Sequence, residues 1–321
     1  MKKLLIVVQR FPVLSETFIE DHVLGFAQRS SFDVSLLILE GALPPEDVPD
    51  PLKSLARVFR VTRPKTEFKK TAALLKIIFR FFHKWPLLLK AVSIPGPGAW
   101  ERLFILEHVL SGGYDLMHCH FGTAANTVLF LKDLFPSMKL VVSFLGYDIH
   151  KYPHEHGAGV YAGLFLRMDR AVVNTRFSKD KLIALGCPPE KVSLIPLGFD
   201  LAQTPFKVRP APSGGRIKFV CVGRLVEKKG HSDLLKAFDQ VLDQYPFAEL
   251  HLVGDGPLAK DLESEARQLG VLDAVFFYGA LSRKKAHRIC DECHIFVIAC
   301  RTAADQNMEG QCLVLQEAQA M

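Results

Sequence analysis

Residues 220–230 read VCVGRLVEKKG: an apolar run, a glycine, two cations five positions apart and a second glycine. That order predicts a buried strand ending at Val222, a turn at Gly223 and a helix opening after Gly230. Arg224 and Lys229 then stand beyond the strand's carboxyl end, where open parallel sheets bind ligands. Arginine offers a planar fork of donors and lysine a mobile point charge, so the pair suits a diphosphate. Taken alone, two solvated turn cations account for the same residues.

The same grammar recurs along the chain. Residues 252–258, LVGDGPL, run from a strand through Gly-Asp-Gly-Pro into a helix, with Pro257 suited to the first helical turn. Position 259 is Ala, so the G-x-G-x-x-G dinucleotide fingerprint is not met and an oxidoreductase of that type is disfavoured. Short apolar runs at 3–8, 34–39, 116–119, 139–144, 170–174 and 192–196, then 218–222, 249–253, 275–278 and 294–299, alternate with helical segments. Such alternation predicts an α/β fold of βαβ units with parallel sheets. Between them residues 199–216, FDLAQTPFKVRPAPSGGR, carry three prolines and a Gly-Gly pair. The expected organisation is a domain at 1–199, a linker at 200–216 and a domain at 217–321, with the site in the cleft between two facing sheets.

Composition narrows the class. The chain has 321 residues, 49% of them apolar and 23% charged, as a packed globular protein requires. After MKK the apolar run spans only residues 4–8 and no A-x-A-like site follows, so it reads as a first buried strand rather than a signal peptide. No apolar run is long enough to span a membrane. Seven scattered cysteines suit reduced thiols in a cytosol. ICDECH at 289–294 matches the C-x-x-C-H haem pattern, and His287 adds a zinc reading. With no export signal and no second ligand pair, a helix end entering a strand explains it better.

Residues 53–90 depart from the pattern. They hold eleven Lys or Arg against one acid, Glu67, a local charge of +10 against +6 for the whole chain. Phe68, Phe79, Phe81, Phe82 and Trp85 are interspersed. A basic, aromatic-rich helix over 71–92 fits an anionic membrane surface, and it also fits a helix packed on the sheet with its charges solvated. No recognised nucleic-acid module accompanies the charge, so nucleic acid is not expected as a partner.

Residues 309–321, EGQCLVLQEAQAM, place two carboxylates around the start of a helix opening near Cys312. A helix start presents free amides and a positive dipole end to phosphate. Glu309 just before it could accept from sugar hydroxyls, and Glu317 inside it could reach a ribose diol. Two cations and two carboxylates around a phosphate-ready helix describe a nucleotide-sugar pocket.

At this point the motifs join. GRLVEKKG, VGDGP, FFYGALS and EGQCLVLQEA follow one another at the spacing of the retaining GT-B glycosyltransferases of family 4, which the second half resembles. The first half agrees through FPVLSETFI (11–19), HCHFG (118–122), FLGYDI (144–149) and VSLIPLGFD (192–200). FPVLSETFI and FLGYDI look most like the bacterial exopolysaccharide and colanic-acid branch. The resemblance implies that Arg224 and Lys229 neutralise the departing diphosphate, Glu309 faces the donor sugar and Glu317 binds ribose. Leu313 and Val314 would offer amides to phosphate, and the backbone near Leu281 would contact the base. Ser15 and Glu16 would approach the donor, His120 would lie near the reacting sugar, and Asp148 would contact substrate.

It further implies a hexosyltransferase-type enzyme without metal or other cofactor, since no Asp-x-Asp occurs. Its partners would be a nucleotide-sugar donor, a glycan or lipid-linked acceptor and the inner face of the membrane. The chain departs from the family at Leu145, where many relatives carry His, at Gln311-Cys312, where Pro is frequent, and at Cys300, where Pro-Ser is common. Members of the family continue past the Glu-Ala pair, so the resemblance implies an incomplete second domain. The competing reading is a remnant that binds nucleotide weakly.

Overall fold

The computed structural model describes the chain apart from residues 14, 29–30, 41–54, 56, 63, 65, 95–97, 99, 209–210 and 213–215. Of the basic stretch, Lys53, Arg63 and Lys65 therefore lie outside the described residues, as does part of the 200–216 linker. The chain forms two compact units, Met1–Pro196 and Leu197–Met321.

In the first unit the strands are β1 (Lys2–Val8), β2 (Phe32–Ile38), β3 (Arg57–Arg60), β4 (Leu116–His120), β5 (Lys139–Phe144), β6 (Arg170–Val173) and β7 (Val192–Leu194). They pair in the order β3-β2-β1-β4-β5-β6-β7, every pair parallel. Leu4 to Val8 of β1 are wholly buried. Leu5 and Val7 face one core, while Leu4, Ile6 and Val8 face the other, the mark of a strand covered on both sides. The order reverses between β1 and β4, so the loops after these two strands meet at the sheet's carboxyl end.

The second unit holds β8 (Lys218–Val222), β9 (Glu249–Val253), β10 (Val275–Phe277) and β11 (Ile295–Phe296), parallel in the order β10-β9-β8-β11. Its reversal lies between β8 and β11, which brings the loops after those strands together. Helices α10 (His231–Gln244), α11 (Ala259–Gln268), α12 (Arg283–Glu292) and α13 (Leu313–Ala320) complete it.

Several elements differ from the sequence reading. Residues 57–60, read only as charge, form β3 at the sheet edge, where Arg57 and Arg60 flank Val58 and Phe59 and edge charge is tolerated. The single helix expected over 71–92 is two, α2 (Glu67–Arg80) and α3 (Trp85–Ser93), separated by a tight turn at Phe82–Lys84. Pro86 sits in the first turn of α3, where its missing N–H costs nothing; inside a continuous helix it would break a bond. Pro257 precedes α11, which starts two residues later. The last strand pairs over two residues only.

Helices α4 (Glu101–Val109), α5 (Gly122–Val128), α6 (Phe130–Leu134), α7 (Lys151–His156), α8 (Ala162–Arg167) and α9 (Arg176–Ala184), with α1 (Thr17–Ala27), occupy the remaining connections of the first unit.

Candidate functional site

In the second unit the turn after β8 is built by close backbone approach. Gly223 N–H donates to Val253 (2.9 Å) and Leu225 N–H to Asp255 (3.0 Å), so the GDG turn after β9 lies against GRL. A Cβ at Gly256 would meet the Leu225 carbonyl oxygen at 2.4 Å. The next segment, Glu227–Lys229, is a tight turn ending at Gly230 in the left-handed region. A Cβ at Gly230 would lie 1.7 Å from the Ala299 carbonyl oxygen, and Arg301 N–H donates to Lys228 at 3.0 Å. The chain leaving β11 therefore runs directly beside the lysines of GRLVEKKG.

That neighbourhood brings Glu309 to Lys229, 80 positions earlier in the chain. Their Oε2 and Nζ are 2.8 Å apart, and Lys228 Nζ is 3.4 Å from the same oxygen. Burial alone would lower the Lys229 pKa, but Glu309 outweighs it and holds the ammonium above the usual lysine range. Burial likewise raises Glu309, and Lys229 and Lys228 overcome it, so the carboxylate stays ionised. Arg224 is exposed and makes no ion pair with another described residue. The arrangement offers one solvent-facing guanidinium and one half-buried, permanently charged ammonium beside a carboxylate.

Cys312 occupies the N-cap of α13 without a side-chain cap bond, so Leu313 and Val314 supply the first helical amides. Glu317, one turn further, is buried: Arg283 of α12 donates to its Oε1 at 2.6 Å, and His287 Nε2 lies 3.6 Å from Oε2. Burial opposes its charge, and His287 and Arg283 reverse that and lower its pKa. Leu281, between β10 and α12, packs on the Val220–Val253 core. Lys228 and Arg283 were not singled out from the sequence, and His287 only for a zinc reading. Arg283 and His287 sit at helical spacing beside FFYGALS, but only α12 packing next to α13 reveals what they hold.

In the first unit His120 ends β4 with no exposed surface. Its ring stacks on His118 at 4.8 Å and lies 5.4 Å from that of His22 of α1. His118 shares a 2.8 Å hydrogen bond with Ser143 of β5. Burial pushes the His118 pKa down to about 4, and burial with its two imidazole neighbours lowers His120 well below the usual histidine range. Phe121 follows at φ +73°, turning the chain sharply into α5.

Asp148 is buried behind that turn. Its Oδ2 accepts from Gly122 N–H (2.8 Å) and its Oδ1 from Leu145 and Gly146 N–H (3.0 Å each). The carboxylate thus spends its oxygens tying the β4 and β5 loops together, and burial outweighs those bonds to raise its pKa to about 6. Ser15 is exposed, and Glu16 occupies the N-cap position of α1. Among the described residues no group of three His, Cys, Asp or Glu side chains converges as metal ligands do, ICDECH included.

These burials predict an acid-sensitive fold. Histidine is ordinarily half-protonated at pH 6.5, whereas His118 and His231 are held at about 4 and His120 is also depressed. Between those values the unfolded chain binds protons that the folded chain refuses, so stability is full above pH 6.5 and falls as pH drops. Asp148, raised to about 6, and Glu107, also raised by burial, work in the opposite sense, two groups against six depressed histidines once His22, His108 and His251 are included. Stability at pH 5 should be lower than at pH 7.5 by at least about 2 kcal/mol. Urea midpoints at the two pH values measure this, and equal midpoints would show that the histidines are accessible to protons in the fold.

The comparisons agree with this architecture. Residues 16–203 match the model of Glycosyltransferase Family 4, and residues 203–321 match that of Glycosyl transferases group 1. The chain is 30% identical over 332 aligned residues to the amylovoran biosynthesis glycosyltransferase AmsK of Erwinia amylovora, covering 99% of this chain and 80% of that one. It is 26% identical to the putative colanic acid biosynthesis glycosyltransferase WcaL of Escherichia coli K12, covering 97% and 79%. Among solved structures, Anabaena HepE in complex with UDP and glucose superposes with a TM-score of 0.68 at 18% identity, covering all of this chain and 78% of that one. The last likeness shows the fold, which is GT-B. With both halves matched in order, the chain belongs to the family 4, group 1 glycosyltransferases.

Proposed function

We propose that this enzyme transfers a sugar from a nucleoside-diphosphate sugar to a polysaccharide or lipid-linked acceptor at the inner membrane face, with retention of configuration and without a metal. The observation that carries the donor reading is the Lys229–Glu309 pair beside exposed Arg224. As the diphosphate leaves, Lys229 and Arg224 supply the positive charge that a metal would otherwise provide. Glu309, fixed by the two lysines, accepts from the donor sugar's hydroxyls, and the Leu313 and Val314 amides take phosphate. Glu317, held by Arg283, orients toward the ribose, and Leu281 lies under the base. Ser15, Glu16 and His120 serve the reacting end, with neutral His120 a hydrogen-bonding group rather than a cation. Asp148 acts by positioning the loop that carries His120. AmsK and WcaL support an exopolysaccharide pathway. The test is a panel of UDP- and GDP-sugars with a lipid-linked glycan acceptor, read by product anomer and in the presence of EDTA. Inversion, or loss of activity on chelation, would overturn the mechanism.

The membrane part rests on α2, which carries two apolar stripes. Ala73, Leu74, Ile77 and Phe81 pack on the core. Phe68, Leu75, Phe79 and Phe82 form a second stripe that is 85%, 61%, 87% and 69% exposed, flanked by exposed Lys69, Lys76 and Arg80. A helix packed on the sheet accounts for the first stripe and leaves the second without a function in the isolated chain. Aromatic side chains bordered by cations suit an anionic bilayer interface. Lys84, by contrast, donates to the Leu110 carbonyl and is engaged within the fold. Neutralising Lys69, Lys70, Lys76 and Arg80 together should reduce binding to anionic vesicles by at least about tenfold, at about 1 kcal/mol per charge near the surface. Vesicle sedimentation across a salt series measures it, and equal binding to neutral and anionic vesicles would remove the electrostatic basis. No helix among the described residues is long and apolar enough to cross a membrane.

A further inference from the structure

Two cysteines stand beside the Lys229–Glu309 pair, and nothing in the transfer chemistry uses them. Cys300 is exposed on the segment leaving β11, and Cys312 is the half-buried N-cap of α13. Backbone packing sets the first of these segments against the Lys229 turn: Arg301 N–H bonds to Lys228, and Ala299 abuts Gly230. The ion pair of Glu309 with Lys229 draws the second segment to the same place. As a result the two thiols are neighbours, with Lys229 and Glu309 as charged neighbours of both.

We propose that Cys300 and Cys312 are an oxidation site, closing to a disulfide under peroxide ahead of every other cysteine in the chain. This reading rests on the thiol cluster itself and not on the identity of the sugar donor.

Of the five remaining cysteines Cys290 is half-buried, and the contrast with the other four gives the selectivity. Cys119 and Cys221 are wholly buried, and Cys187 and Cys293 nearly so. Burial pushes Cys187 and Cys293 up to about 11 and Cys221 to about 12, so all stay as unreactive thiols. Cys312 is shifted the other way: its Cys300 neighbour lowers it against burial, and the Lys229 ammonium adds to the effect. A thiol of lowered pKa beside a lysine, with a second thiol as its neighbour, is the arrangement that peroxide oxidises and a neighbour resolves.

The chemistry is two displacements. The Cys312 thiolate attacks one oxygen of hydrogen peroxide, the O–O bond breaks, and hydroxide leaves to be protonated to water. Cys312 is now a sulfenic acid. Cys300 attacks that sulfur, the S–OH bond breaks, and a second water departs with the Cys300 proton. The two sulfurs together lose two electrons, and the peroxide gains them. The disulfide closes a ring that contains Glu309 and Gly310 and ends on the residue capping α13, so oxidation reaches the parts that would hold the donor.

The experiment uses the full chain and hydrogen peroxide, with peptide mass mapping over time. A Cys300–Cys312 linkage is expected first, reversed by dithiothreitol, at least about tenfold faster than modification of Cys119, Cys187 or Cys221. In Cys300→Ser the linkage should be replaced by a Cys312 sulfenic acid trapped by a cyclic dione. Because the readout is the mass of the peptides, its failure is separate from any failure of the transferase reading. A first linkage through Cys290 or Cys293, or oxidation of Cys300 and Cys312 no faster than the buried thiols, would overturn the proposal.

Discussion

Lys229→Ala is expected to reduce sugar transfer by at least about tenfold, roughly 1.4 kcal/mol of transition-state stabilisation. The structure explains why the effect should be on rate. The Lys229 ammonium is only 13% exposed in its side chain, sits 2.8 Å from Glu309 and keeps its charge through any working pH. A cation that is half-buried acts through a lower dielectric than one in water, so its attraction to a departing diphosphate is larger. Alanine removes that charge and leaves Glu309 with Lys228 at 3.4 Å, adding a negative charge with weaker compensation where negative charge must develop. Added magnesium should not restore the rate. The measurement is kcat/KM for donor turnover, with thermal melting alongside to show that the variant is folded. A folded variant with unchanged kcat/KM would remove Lys229 from the mechanism.

Gly254→Ala should be a severely damaging single-atom change in the second unit. Gly254 has φ +146°, and a Cβ there would lie 1.9 Å from the Gly223 carbonyl oxygen and 2.8 Å from its carbon. Both are backbone atoms of the turn that opens GRLVEKKG, so neither can swing aside as a flexible side chain would. Gly254 N–H also donates to Gly279, pinning it from the other side. Backbone strain and overlap together should cost about 3 kcal/mol or more. For a unit of this size that lowers melting by roughly 10 °C. Gly270→Ala is the internal control. Its φ is +76° but nothing lies within 4 Å of an added Cβ, so only the left-handed backbone is penalised, at about 1 kcal/mol. Differential scanning calorimetry of the two variants separates the contributions. Equal losses would mean that the close approach to Gly223 carries no energy.

The basic stretch shows where sequence reading stops. Its charge and its aromatics are plain in the composition, and the helix after Thr66 is announced by that residue, which caps α2 by accepting from Lys69 N–H. Two features are not. Pro86 divides the helix, and the composition of 71–92 reads across it because both helices share the same mix of residues. The second stripe is also hidden. Phe79 and Phe81 are alike as residues, yet one is 87% exposed and the other 6%, because only the latter packs into the buried core.

The donor site divides in the same way. The strand-turn-helix order of VCVGRLVEKKG, the GDG turn and the helix after Glu309 follow from contiguous residues, since each depends on backbone conformations that neighbouring side chains permit. From those runs the α/β fold and the position of Arg224 and Lys229 at a strand's carboxyl end were legible. That Lys229 meets Glu309, that Arg283 claims Glu317, and that Asp148 is consumed by three backbone amides were decided by the tertiary structure. The physical reason is the sheet order. β11 lies beside β8 although two strands separate them in the chain, and this adjacency, fixed by burial of both faces, determines which distant side chains come within hydrogen-bonding distance.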